Sequence, residues 1–297
     1  MSVYGLKRKP LLLLYGLGIL LLIAAGGVWW MEGNLKPEKV FWDMVSQSLS
    51  TSSVTVQAAQ NGNGTSVHQT IQFSFGPQNT SHSLATLAQP GTNVVDEIIA
   101  TPDADYTRYV SVKTDQKGSD GKTLDFSKII GVWAKRDGGA QLFPQDVLGT
   151  GLPLGGVSVP IANLSPPLRT HLMRQMKDQG VYKISFKDTK KEHKNGRLVY
   201  IYTAKVQPVM YANMMKSLSK SIGLHALDQL DPNTFGGQPA FEVRLTVDAR
   251  ARQLLTAEGV GADVQQTYTS YDMPVTVTPP AKAISSAELQ KRLSELR

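Results

Sequence analysis

Ser217-Leu218-Ser219-Lys220 has the S-x-x-K spacing, in which one helical turn brings a lysine ammonium beside a serine hydroxyl and helps to activate it as a nucleophile. Its usual companions S-D-N and K-T-G are missing, no G-x-S-x-G is present, and Ser217 and Lys220 fall on the polar side of a well-patterned helix. The spacing reads as chance, so no catalytic residue is assigned and no enzyme is expected. His68, His82, His171, His193 and His225 are scattered, none has a ligand partner four residues on, and H-E-x-x-H is absent. Solvated or edge histidines are the reading, with no metal and no cofactor. Asp115, Ser119, Asp120 and Gly121 approach a calcium loop, but Lys117 stands at a ligand position and the glycine comes one residue late, so a hairpin turn is expected. Asp103 and Asp105 flank a strand start, where they would cap a turn. The chain contains no cysteine, which excludes disulfides, thiolate metal sites, cysteine nucleophiles and a lipidated cysteine.

Binding chemistry is better represented. Met173, Met176, Met210, Met214, Met215 and Leu218 lie on the inward stripes of two amphipathic helices. Flexible thioethers suit either a pocket for apolar chains of varied shape or ordinary core packing. Lys190, Lys191, Lys194 and Arg197 crowd a hairpin tip together with Lys187, against Asp188 and Glu192. Such a tip can attract anionic headgroups at a membrane surface, or its charge can simply keep a sheet edge solvated. Asn63, Asn79 and Asn163 stand in N-x-S/T sequons.

These residues need a scaffold and a location. Of 297 residues, 41% are hydrophobic and 19% charged, the balance of a globular chain with ample core. The net charge is +7, of which Lys7, Arg8 and Lys9 supply three, and the remaining +4 is too mild to suggest nucleic acid. Leu11 to Trp30 is apolar and free of charge, long enough as a helix to span about 30 Å of bilayer core. With Lys7, Arg8 and Lys9 at its start, the positive-inside rule keeps residues 1–10 cytoplasmic, makes 11–30 a signal-anchor, and sends a linker (31–36) and a domain (37–297) outside the cell membrane. A cleaved signal peptide ending near Ala24 and Gly26 is the alternative, and it too exports the bulk of the chain.

Residues 37–49 carry a helical stripe of Val40, Phe41, Met44, Val45 and Leu49. Alternating segments then follow at 54–56, 67–75, 83–87, 94–100 and 106–112, separated by turn residues such as Asn61-Gly62-Asn63-Gly64, and predict an antiparallel meander. Residues 138–167 are rich in Gly and Pro and suggest a loop across a mouth of the sheet, or a domain boundary. Ser165 caps a second helix with Pro166 and Pro167 in its first turn, and Gly180 stops it. A hairpin of 181–186 and 198–206, a helix over 209–222, strands at 241–247, 253–260 and 264–271, and a terminal helix with a Ser285/Glu288 capping box complete the chain. The class is α+β: a curved antiparallel sheet, or half-barrel, with amphipathic helices on its concave face.

Three stretches carry a family resemblance. They are the helix-to-strand passage Val40-Phe41-Trp42-Asp43-Met44-Val45 through Val54-Thr55-Val56, the strand–turn–strand from Phe241 to Ala249 and Arg252 to Leu255, and Tyr268 to Pro280 before the last helix. In element order over about residues 37–280, the chain resembles the lipoprotein-carrier fold of LolA-type periplasmic carriers and LppX/LprG-type mycobacterial lipoproteins. The latter are tethered through a lipobox cysteine, which this chain lacks. The resemblance implies a half-barrel whose cavity holds acyl chains, and hence a membrane-anchored protein that binds and transfers a lipid or lipid-like ligand. A structural or interaction module with a filled core and envelope-protein partners is the alternative.

Overall fold

The structure is a computed structural model that describes residues 34–296 apart from 63, 77, 120, 138–158, 224–226, 229 and 262. The apolar segment 11–30, most of the Gly/Pro-rich stretch, Asn63, Asp120 and His225 therefore lie outside the described residues. Among the described residues no helix is long and apolar enough to cross a membrane.

Helix α1 (Pro37–Ser48) opens on a proline, whose missing N–H matters little in a first turn, and buries Val40, Phe41, Met44 and Val45 along one stripe. Five long strands follow as a meander: β1 (Ser53–Gly62), β2 (Thr65–Phe75), β3 (Asn79–Gln89), β4 (Thr92–Ala100) and β5 (Ala104–Thr114). Gly64 and Gly91 take φ of +77° and +72° in two of the turns, a conformation that costs glycine little. A short β6 (Ala134–Asp137) extends the run. The second half supplies α2 (Pro166–Asp178), β7 (Tyr182–Ile184), β8 (Lys190–Lys194), β9 (Arg197–Val206), α3 (Pro208–Ser221), β10 (Phe241–Asp248), β11 (Gln253–Gly259), β12 (Val264–Thr269), β13 (Ile284–Ser285) and α4 (Ser286–Ser294).

All thirteen strands join one sheet in the order β13-β6-β5-β4-β3-β2-β1-β12-β11-β10-β9-β7, with β8 also on β9. The two halves meet where β1 pairs with β12, from Thr55 opposite Thr269 to Gln60 opposite Val264. Among the described residues every ladder is antiparallel except β13 on β6. Among the described residues the class is thus α+β, with a large, open, curved and mostly antiparallel sheet and four helices.

Several local expectations change. Ser165 occupies the N-cap of α2 but makes no side-chain cap bond, because prolines at the start of the helix leave fewer N–H groups to satisfy. Gly180 does end α2, at φ +62°, with Val181 N–H donating to the Met176 carbonyl and Gly180 N–H to that of Lys177, a Schellman closure. The strand expected over 181–186 stops at Ile184 and gives way to a 3-10 turn at Phe186–Asp188. The basic tip is a strand rather than a loop: β8 pairs with β9 from Lys190 opposite Ile201 to Lys194 opposite Arg197. Its side chains are exposed on both faces, so no apolar alternation marks it. Strand β12 ends at Thr269, where Ser270 and Asp272 take φ of +53° and +56°. In the turn before β5, the Thr101 hydroxyl donates to the Ala104 carbonyl and accepts from the Ala104 N–H. At the terminal helix the serine half of the expected capping box is formed: the Ser285 hydroxyl accepts from Glu288 N–H, while the Glu288 carboxylate meets Arg292, and Ile284 packs in the same cluster as Leu289.

Two hydrophobic clusters organise the interior. The larger joins the inward stripes of α1, α2 and α3 to β1, β2 and β9–β12, including Val54, Val56, Ile71, Phe73, Tyr202, Leu245 and Tyr268. Phe41 is its aromatic hub, with edge contacts to Trp42, Tyr182 and Tyr202 at centroid distances of 5.1, 5.7 and 5.4 Å. Residues 159–164 belong to it as well. Val159, Ile161 and Ala162 are buried, and this segment exchanges backbone bonds with Ser48, Leu49 and Thr51. The smaller cluster packs α4 through Leu289 onto Ile129, Ala134 and Tyr109, toward the β6 edge of the sheet.

Candidate functional site

Cross-strand register places one set of side chains between the two clusters. Val56 on β1 faces Ile71 on β2, which faces Ser83, then Ile98, then Thr107 on β5 and Ala134 on β6. Directly opposed residues point to the same face of a sheet. This row therefore starts in the larger cluster at Val56 and ends in the smaller at Ala134. Two parallel rows lie beyond it: Gln69, Ala85, Asp96 and Tyr109, then Val67, Leu87, Val94 and Val112. Among the described residues, Val67, Leu87, Val94, Ile98 and Val112 belong to neither cluster, and each is partly exposed. These rows form a strip of mixed apolar and polar side chains, a shallow trough by register, on the face of the sheet between the cluster of α1–α3 and that of α4.

Polar groups punctuate its floor. Ser83 is buried and accepts a 2.7 Å bond from the Gln69 amide. Burial pushes the Asp96 carboxyl above its ordinary range, opposed by a bond with its own backbone. Burial likewise raises the Tyr109 phenol, and the nearby Asp96 charge raises it further. A bulge between Val95 and Asp96 sets this pairing, since it brings Tyr109 opposite Asp96 while leaving Val110 exposed on β5. Chemically, the trough offers apolar walls with one carboxyl and one phenol at their centre.

The methionine candidates sit elsewhere. Met176, Met214, Met215 and Leu218 are fully buried in the larger cluster, and Met210 packs against it. Met173 lines a cleft of about 450 Å³ between α1 and α2, together with Trp42, Arg169, Arg174 and Lys177. There the Lys177 ammonium lies 4.9 Å from the centre of the Trp42 ring. Of the basic hairpin, Lys194 and Arg197 border a cleft of about 770 Å³ of mixed polar and apolar lining, with Thr246, Glu258, Leu255 and Tyr271. Lys191 sits instead over Tyr200, at 5.3 Å from its ring centre.

Several of the remaining motif residues are engaged in the fold, while Lys220, His68, His171 and His193 are exposed. Ser217 donates to the Asn213 carbonyl one turn back and accepts from the Gln175 amide. His82 meets Glu97 at 2.7 Å, and the same carboxylate takes a 2.6 Å bond from Arg108, which in turn covers the Trp133 ring. Burial alone would raise the Glu97 carboxyl, but the bonds from His82 and Arg108 outweigh it and hold the group below its ordinary range. Asn79 and Asn163 spend their amides on the Ile222 and Phe75 carbonyls.

The trough residues Leu87, Val94, Asp96, Ile98 and Tyr109 escaped sequence reasoning. The available signal was alternation in β3 and β4, but Ser81, Ser83 and Asp96 on the inner face disguise which side is buried. A scan against models of known protein families finds no match for this chain, and a search of curated proteins finds no similar sequence.

Proposed function

We propose that this chain is a membrane-tethered, extracytoplasmic protein that binds a lipid-like amphiphile, with transfer of that ligand as its use. The observation that carries the reading is the inner-face trough. Val67, Leu87, Val94 and Ile98 form an apolar floor that neither hydrophobic cluster absorbs. Burying such surface beneath an alkyl chain is worth about 25 cal/mol per Å² of apolar area, enough to hold a ligand without any covalent step. Asp96 and Tyr109 supply one polar position at which a hydroxyl or amine of the ligand would be met. A half-barrel with α1–α3 on its concave side also fits the resemblance to the LolA and LppX/LprG carriers in element order.

Titration of the domain from residue 34 onward with a naturally fluorescent polyene fatty acid tests this. Both clusters are built from residues of that domain. Saturable binding of about one probe per domain is expected, as is its loss in Leu87→Glu and Val94→Glu. Absence of saturable binding, or equal binding by both variants, would refute the trough.

One observation favours a second reading, that of an envelope interaction module. The side chains of Met176, Met214, Met215 and Leu218 leave the helix-covered half of the sheet filled. That reading expects no bound lipid and a protein partner instead.

A further inference from the structure

Three hydrogen bonds fix where the chain enters the domain. The Tyr200 hydroxyl donates to the Leu35 carbonyl at 2.6 Å, and the Tyr202 hydroxyl to the Pro37 carbonyl at 2.9 Å. From the turn between β10 and β11, Arg252 donates to the Asn34 carbonyl at 2.6 Å. Both tyrosines belong to β9, so the entry point is tied beside the β8–β9 hairpin.

That end of the molecule is rich in cations with few free anions. Strand β8 is exposed throughout, and it carries Lys190, Lys191 and Lys194. Lys194 pairs with the exposed Glu192 of its own strand, at 3.4 Å. Of the acids nearby, Asp248 is buried and accepts the Arg250 and Ala251 N–H groups, Asp43 lies between Lys39 and Arg252, and Asp188 is exposed in the turn before β8. Lys190, Lys191 and Arg250 have no carboxylate partner among the described residues.

The apolar segment ends at Trp30, four residues before Asn34. At no more than about 3.6 Å per residue, Asn34 lies within about 15 Å of the segment's end, on the order of two Debye lengths at physiological salt. We propose that the β8–β9 hairpin and the β10–β11 turn form a membrane-docking face that takes anionic lipid headgroups. The inference rests on residues 11–30 being an anchor, which adds the tether. The hairpin adds an orientation, pressing this end of the sheet onto the bilayer.

The absence of cysteine makes a direct test simple. Full-length chain carrying Asn195→Cys with an environment-sensitive dye is placed in nanodiscs with headgroup-linked quenchers, and compared with Gln89→Cys. The ladder registers put Gln89 at the opposite end of the sheet. In discs containing anionic lipid, quenching at 195 should exceed that at 89. It should fall in neutral discs, in high salt, and in Lys190→Gln/Lys191→Gln, each lost cation weakening docking about five-fold. Equal quenching at both positions, or quenching at 195 unaffected by lipid charge and salt, would overturn the docking face. Failure of the chain to insert into discs would instead sink the anchor reading on its own. Unchanged circular dichroism of the hairpin variant keeps folding out of the comparison.

Discussion

Asp96 stands directly opposite Tyr109 across the β4–β5 ladder, on the floor of the trough between the two hydrophobic clusters. Register alone puts the carboxyl there, one row from Ile98 and one from Val94 on its own strand. Tyr109 packs against the smaller cluster, so the pair sets a carboxyl at the edge of that cluster.

The raised Asp96 carboxyl has a signed consequence. Because the folded chain holds this proton more tightly than the unfolded one, stability falls as pH rises through the window above the ordinary value of 3.8. Asp96→Asn removes that loss. Urea unfolding from about pH 4 to about pH 7 should show the variant gaining on the parent as pH increases. A constant difference across that range would mean that Asp96 is solvated.

Met214→Ala removes a fully buried side chain from the meeting of α3 with the main cluster and should cost about 2–5 kcal/mol. Met173→Ala, in the open cleft beside Trp42, should cost much less. Thermal unfolding separates them, since each kcal/mol is worth about 2–4 °C in a domain of this size. Similar shifts for the two would contradict the packing described.

Glu97 is held by His82 and Arg108, so its stabilising effect is fully present above the ordinary carboxylate value of 4.5 and fades as pH drops below it. Glu97→Gln should cost about 1 kcal/mol near neutrality and almost nothing in acid. Paired denaturant titrations at the two pH values would show it, and a cost that persists in acid would point to shape instead of charge.

Ser285→Ala deletes the side-chain cap of α4 and should loosen that helix by about 1 kcal/mol. Hydrogen exchange in α4 is the readout. Unchanged protection would mean that Leu289 packing alone holds it.

Helices α1 to α3 were legible from stripes at helical spacing, and α1, α2 and α4 also from a local start or stop: Pro37 for α1, Gly180 for α2, and Ser285 with Glu288 for α4. The meander was legible from alternation and turn residues. Strand β8 was not, since Lys190 to Lys194 has no buried face and exists through backbone pairing with β9. Nor was the burial of Val159 and Ile161, which depends on a dock against α1 more than a hundred residues away. Periodicity could place Met214 on an inward stripe, but whether that stripe met core or cavity was a tertiary matter. The trough was hidden for the same reason: it is a property of register across β2 to β5, and no single strand displays it.

The central claim is that a lipid-like molecule occupies the trough. Its most direct test is mass spectrometry of the organic extract from the domain, purified without detergent from its own envelope, beside Leu87→Glu and an unrelated secreted control. The account predicts a stoichiometric amphiphile in the parent protein that is missing from both the variant and the control. A clean extract from stable, monodisperse parent protein would contradict it and make the filled-core interaction module the better description.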